Sequence, residues 1–337
     1  MNYKLIFIAF LMLAVTVVSA QTIPGVKKVQ TADSVRRIMF EQAALRNPIL
    51  RQINISTDVI SGGDINSKLY DDPLFKGKTS TVRTTAIFNV PVKSWGKNSV
   101  SASLSYFQQR LQVTDVESYN SRLGNEDIIF NKSTVGLTAS FQRVDSLFGR
   151  PVFYMASVSG VSNDVSSIKK LSYLGTILFP LKQTATTRYS LGAVINIDPS
   201  LKVPAFLLFT YWHKFKNELE LNFNLPSQVG LRKGISDKLW ATLGTSLSGS
   251  LAFFNLDQPN LPHDVNYTTI DLKSGLGAEY RLGKKIIIGV NGGILTPISS
   301  RAFDRTETSS EYFLSNKMQS VPYVNFSLSI LPFLRKL

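Results

Sequence analysis

Charged side chains recur inside stretches whose neighbours alternate between apolar and small polar residues: Arg83, Arg188, Glu218, Glu220, Arg232, Asp271, Lys273, Glu279 and Arg281. Successive side chains of a strand point to opposite faces, so in each stretch the charge falls on the face away from the apolar set. If the apolar face meets lipid, a charge beside it near the midplane costs roughly 2–4 kcal/mol, and the lumen is the economical place for these groups. Two arrangements then remain open. The charges line a water-filled path of mixed sign with weak ion preference, or they pair with one another, close the lumen and stiffen the wall.

Other chemistry finds little support. The chain has two histidines, His213 in Tyr211-Trp212-His213-Lys214 and His263 in Pro262-His263-Asp264. A serine nucleophile needs an adjacent base held by a third group, and neither histidine lies in a His-x-Ser arrangement. No catalytic residue is assigned, and the protein is expected not to be an enzyme. The acids Asp115, Glu117, Glu126 and Asp127 match no oxygen-ligand loop for calcium, so neither metal nor cofactor is expected. Gly62-Gly63 and Gly292-Gly293 read as turn or strand-packing glycines without a phosphate-loop context. Cysteine is absent, which excludes disulfides.

The elements that must position these charges are strands. Val100, Ala102, Leu104 and Tyr106 alternate with Ser99, Ser101, Ser103 and Ser105. The rhythm returns at Val135-Leu137-Ala139-Phe141, Tyr189-Leu191-Ala193-Ile195 and Leu219-Leu221-Phe223-Leu225. About fourteen such segments, give or take two, run from 51–60 to 321–333. The fold class expected is all-β, a transmembrane antiparallel up-and-down barrel preceded by a short helical segment over 31–47.

Lys4 precedes an apolar run from Leu5 to Val18, and Val18-Ser19-Ala20 supplies the small residues of a signal-peptidase site. Residues 1–20 are therefore expected to be a leader cleaved after Ala20, 21–50 a periplasmic lead-in or a plug, and 51–337 the barrel of a bacterial outer membrane. No later apolar stretch is long enough to span a bilayer as a helix. The net charge of +14 would suggest nucleic acid in a soluble protein, but the basic residues are scattered without an aromatic-interleaved stripe, so none is expected.

Connection lengths add an independent argument. Every second link is short (93–98, 145–150, 182–186, 213–216, 235–237, 282–284), whereas 61–79, 112–132, 162–169, 253–267 and 297–320 are longer. Outer-membrane barrels have short periplasmic turns, long external loops and periplasmic termini. Trp95, Trp212 and Trp240 fall on the short-turn side and are expected, with Tyr211 and Tyr280, to form an interfacial aromatic girdle. Lysines and arginines in the same turns, such as Lys93, Lys97, Lys284 and Lys285, suit the anionic headgroups of outer-membrane lipid.

Phrases such as Val90-Pro91-Val92-Lys93 and Leu225-Pro226 followed by Gly230-Leu231-Arg232-Lys233-Gly234, on the barrel rhythm, resemble the uncharacterised outer-membrane β-barrel families common in Bacteroidota. The resemblance covers roughly Arg51 to the end and implies an outer-membrane barrel. The strand number and the amino-terminal segment are also similar to the long-chain fatty-acid channel family, whose barrels hold a plug; that likeness is architectural and carries no ligand site over. The function expected is a pore for passive or facilitated passage of a small solute. Two alternatives stand behind it: a barrel scaffold for a surface or secretion complex, contacting through 112–132 and 297–320, and a lipid-acting membrane enzyme.

Overall fold

The computed structural model describes residues 41, 43–120, 123–163, 167–198 and 205–333, all within one compact unit that begins at Glu41. The expected leader, its cleavage point and most of the helical segment lie outside the described residues; of that segment, residues 43–46 are helical. A 3-10 turn at Pro48–Leu50 leads into the strands. These are β1 Ile53–Leu69, β2 Asp72–Trp95, β3 Asn98–Ser118, β4 Ile128–Leu147, β5 Arg150–Ser162, β6 Lys170–Gln183, β7 Thr187–Ile197, β8 Ala205–Lys214, β9 Leu219–Leu225, β10 Gln228–Gly234, β11 Leu239–Asn255, β12 Asp264–Leu282, β13 Ile286–Asp304, β14 Tyr312–Met318 and β15 Val321–Ile330.

Each strand from β1 to β13 pairs antiparallel with the next, β13 pairs with both β14 and β15, and the ring closes where β1 meets β15 over Ile53–Ile60 and β14 over Ile65–Leu69. β14 and β15 are thus two halves of one stave interrupted at Gln319-Ser320, and the fifteen strands make a closed barrel of fourteen staves, the number expected. Closure leaves no unpaired edge, the condition for crossing hydrocarbon with strands. The outer surface carries the expected apolar set: Ile55, Leu104, Leu137, Leu191, Leu243, Leu276 and Phe326 are all exposed. Their strand neighbours Asn54, Ser103, Ser105, Gly136 and Gly275 fall on the lumen face. An apolar belt around a closed barrel is stable only against lipid, and this is an outer-membrane barrel.

The heights of the staves depart from expectation. β5 to β10 are short, 13, 14, 11, 10, 7 and 7 residues, close to the 9–11 needed for a tilted crossing. β1 to β4 have 17, 24, 21 and 20 residues, and β11 to β13 have 17, 19 and 19. Most of 61–79, 112–132, 253–267 and 297–320, expected as loops, is therefore strand. The reason is an inversion of pattern. In β1, Ile60, Ile65 and Ser67 are buried while Asp64, Asn66 and Lys68 are exposed; in β3, Leu111, Val113 and Val116 are buried while Arg110, Asp115 and Glu117 are exposed. Above the lipid the outside is water, so polar residues turn outward and apolar ones inward, and the lipid-facing signature ends although the strands do not.

Irregularities mark the bends. β1 slips register between Ile60 and Gly63, and a Cβ on Gly63 would lie 2.2 Å from Val321 Cγ1, beside the break between β14 and β15. Glycine thus lets the two staves approach where the tall wall leaves the membrane. Pro91 and Pro180 sit at register shifts inside β2 and β6, and Pro297 borders one in β13. A bulge does not need the amide donor that proline lacks, so each is tolerated inside its strand. The β4–β5 turn places Phe148 and Gly149 at φ of 53° and 72°, the left-handed pair of a tight hairpin.

Candidate functional site

The lumen contains three layers. At the short-turn end, residues 43–51 lie among inward-facing side chains. Ala44 is buried with Ile287 and Leu331. Arg51, 1% exposed, grips Glu279 with both terminal nitrogens, at 2.7 Å to Oε1 and 2.9 Å to Oε2. Its Nε donates to the Ala44 carbonyl at 3.2 Å, and Nη1 donates to Ser329 Oγ at 3.2 Å. Arg232 donates to the Leu45 carbonyl at 3.0 Å, Arg46 pairs with Glu220 at 3.2 Å, and Lys285 pairs with Glu41 at 2.7 Å. A forked guanidinium on a carboxylate, itself held by backbone carbonyls, is a directional clamp.

At mid-height, groups from staves that are not neighbours meet across the curve of the wall. Arg83 on β2 pairs with Asp271 on β12; both are buried. Lys273 on β12 reaches Asp58 on β1 at 2.5 Å, and Asn325 Nδ2 donates to the other Asp58 oxygen at 2.8 Å. Ser250 on β11 donates to Gln109 on β3 at 3.4 Å. Desolvated charges of opposite sign at contact distance hold these walls together, and removing one partner would strand the other.

Above this waist the tall staves curl until β4 and β11 touch, with Phe130 and Phe254 edge to face at 5.6 Å between ring centres. Lys132 lies over the Phe254 ring at 4.6 Å. The curl surrounds a half-open cavity of about 200 Å³ lined by side chains including Ile65, Leu111, Val113, Val265, Tyr267 and Phe313, with Ser67 and Asn316 among them. β5 to β10 contribute nothing to its wall. The apolar clusters around it were not anticipated; the only signal was the apolar residues of 61–79, 112–132 and 253–267 at alternate positions.

Most of the charged residues singled out from sequence lie in these layers. Arg83, Asp271 and Lys273 form the waist; Glu220, Arg232 and Glu279 form the clamp. Arg281 sits at its rim, 3.8 Å from Glu41 and donating to the Lys284 carbonyl at 2.8 Å. Glu218 does not belong to the lumen. It occupies the β8–β9 turn at φ 63°, pairs with Lys214 and is largely exposed, because β9 starts at Leu219 rather than at 217.

The aromatic girdle divides. Trp95 packs on outward Phe141 at 6.3 Å, Tyr211 packs on Phe223 at 6.1 Å, and Tyr280 is 41% exposed. Trp212 instead faces the lumen: its Nε1 donates to Glu220 at 3.0 Å, and Arg46 and Arg188 each lie 5.1 Å from its ring centre. Trp240 also faces inward, opposite Glu279 and under Arg232 at 4.9 Å. The correction follows from parity, since Tyr211 and Trp212 are consecutive in one strand and cannot share a face. Some turn cations are also engaged: Lys97 holds Asp145 at 2.8 Å, and Lys285 holds Glu41.

His213 accepts from or donates to Thr187 Oγ1 at 2.9 Å at the inner end, while His263 lies at the outer end beside Asp257 and Asp264 at 3.5 and 3.7 Å. The sequence from 49 to 330, the whole wall from the 3-10 turn to the last strand, matches the model of a domain of unknown function, DUF6268. The chain belongs to this family.

Among solved structures the DUF6268 barrel is similar to a FadL homologue of Pseudomonas aeruginosa, at 13% identity and a TM-score of 0.38, over 86% of this chain and 93% of that one. It is similar also to an outer membrane channel of Pseudomonas putida F1, at 8% identity, a TM-score of 0.33, and 83% and 96% coverage. A third is the translocator domain of the autotransporter NalP from Neisseria meningitidis, at 11% identity, a TM-score of 0.30, and 89% and 95% coverage. No curated protein matches the DUF6268 chain.

Proposed function

We propose that this protein is an outer-membrane channel for a small solute, shut at rest by side chains and by its own amino-terminal segment. The observation that carries the reading is the kind of closure at the waist. The groups that bridge the walls there are side-chain pairs, Arg83 with Asp271 and Lys273 with Asp58. A side-chain bridge opens by rotamer changes and a gain of water, without breaking the strand ladder. Residues 43–51 serve as the inner part of the closure, held by Glu279, Glu220 and the donor Arg232. A catalytic role is disfavoured by the placement of the two histidines at opposite ends.

The reading is tested by conductance in planar bilayers. The protein without its leader is expected to show small or rare openings. The two closures stand in series, so the Arg83→Ala/Asp271→Ala double variant and removal of residues 21–50 are each expected to make openings more frequent, and the two changes combined to give steady conductance. Folding of each is checked by the gel-mobility shift of an unheated barrel. Silence from every folded form would refute the channel.

A further inference from the structure

We infer that the half-open chamber surrounded by the tall staves is a binding site for a small neutral molecule with an apolar body and one hydrogen-bonding group. This rests on the channel reading only in taking the bound molecule for its solute; the site itself stands on geometry.

Where β4 meets β11, the wall narrows to the eight staves β1–β4 and β11–β14, and an eight-strand enclosure is wide enough for side chains or one small ligand. Here it is not filled. A cavity of about 200 Å³ remains, larger than the 150 Å³ apolar cavity known to take up benzene. Its sides are Leu111, Val113, Val265 and Phe313, each no more than 5% exposed, so an apolar body fits without displacing favourable water contacts. Among the described residues no ionised side chain lines it, which disfavours a charged ligand by desolvation.

One polar feature marks the orientation. Ser67, 2% exposed, lines the cavity, and its Oγ has no hydrogen-bond partner among the described residues. Two other polar groups nearby are engaged: Tyr267 Oη bonds Ser300 Oγ at 2.7 Å, and the Asn316 amide Nδ2 donates to Ser300 Oγ at 3.1 Å. A buried hydroxyl left unmade is costly, and a ligand alcohol or carbonyl would satisfy it. The ligand class is therefore a compact alcohol, phenol or ketone of about one ring.

The full chain without its leader, folded in detergent, is titrated calorimetrically with benzyl alcohol, ethylbenzene and benzoate; partition into micelles cancels between variants. Benzyl alcohol is expected to bind, with benzoate at least about tenfold weaker. Ser67→Ala should weaken benzyl alcohol roughly tenfold while sparing ethylbenzene. Val113→Trp, which fills the cavity, should abolish both; if that variant does not fold, Leu111→Phe replaces it. Equal heats from wild type and a folded cavity-filled variant would overturn the inference, as would benzoate binding as tightly as benzyl alcohol. Binding without conductance in any form would sink the channel and leave the site; conductance without binding would do the opposite.

Discussion

The short staves β5–β10 and the tall staves β1–β4 and β11–β14 obey the same alternation but face different solvents. Leu207 on β8 is 74% exposed and Leu191 on β7 46%, as lipid requires. In the upper parts of β1 and β3, by contrast, leucine, isoleucine and valine turn inward, and lysine and aspartate turn out. A strand takes its apolar face from whatever lies on each side of it. The short half is therefore a membrane wall and nothing else, while the tall half is a membrane wall below and a water-surrounded barrel with its own apolar core above. Apolar residues stabilise both halves, the short half by transfer of side chains from water to lipid and the tall half by close packing in a core as well.

The largest loss of stability is expected at the waist, where the tall staves are tied together. Asp271→Ala leaves Arg83 buried without its partner and should lower unfolding stability by about 3–5 kcal/mol, read from the denaturant midpoint of the folded barrel in detergent. Replacing both by leucine should recover much of that loss, since no charge is then stranded. A single variant as stable as wild type would mean that the two walls do not depend on this pair.

Core truncation sharpens the contrast between the halves. Leu111→Ala in the tall half should cost about 2–5 kcal/mol, whereas Leu207→Ala in the short half, which leaves no cavity, should cost about 1–2 kcal/mol of lost transfer into the apolar phase. Comparable losses at both sites would remove the distinction drawn here.

Trp212→Phe tests the inner end. If the indole lies in the lumen, the variant loses its bond to Glu220 and part of its stacking with Arg46 and Arg188, about 1–2 kcal/mol together. Its native fluorescence should resist quenching by brominated lipid, in a variant where Trp95 and Trp240 are phenylalanine. Efficient quenching would return Trp212 to the interface.

The smallest effect is expected at Asp145, which links the β2–β3 and β4–β5 turns through Lys97 and Arg143. Hydrogen bonds from Lys97, then Arg143, then the Ser146 amide hold its carboxyl well below its ordinary value of 3.8. A depressed carboxylate contributes stability above that ordinary value and loses it as pH falls through the folded one. Asp145→Asn should therefore be slightly less thermally stable at neutral pH, with the difference shrinking in strong acid. A difference that grows on acidification would contradict the assignment; the group is exposed, and the effect is small at any pH.

Legibility followed physical locality. The barrel and its number of staves could be read because strand parity is a property of adjacent residues. Glu218 was misplaced by two residues of strand boundary, where a turn with positive φ leaves no mark in its residue types. Trp212 and Trp240 were assigned by residue preference when parity, equally visible, pointed inward. The upper strands read as loops in the sequence because their apolar face is not the lipid-facing one, and the alternation inverts where the wall leaves the membrane.

Alternation and turn lengths act over a few residues, and from them the sequence alone specifies strands of period two in a barrel of about fourteen staves with an apolar exterior. Only the tertiary structure decided which charges meet, that residues 43–51 lie among the inward charges of the inner end, and that the tall staves curl to surround a half-open chamber at Ser67. Those outcomes depend on side chains up to 278 positions apart in the chain, as Arg51 and Ser329 are, and their meeting is set by closure and curvature of the sheet rather than by any local pattern.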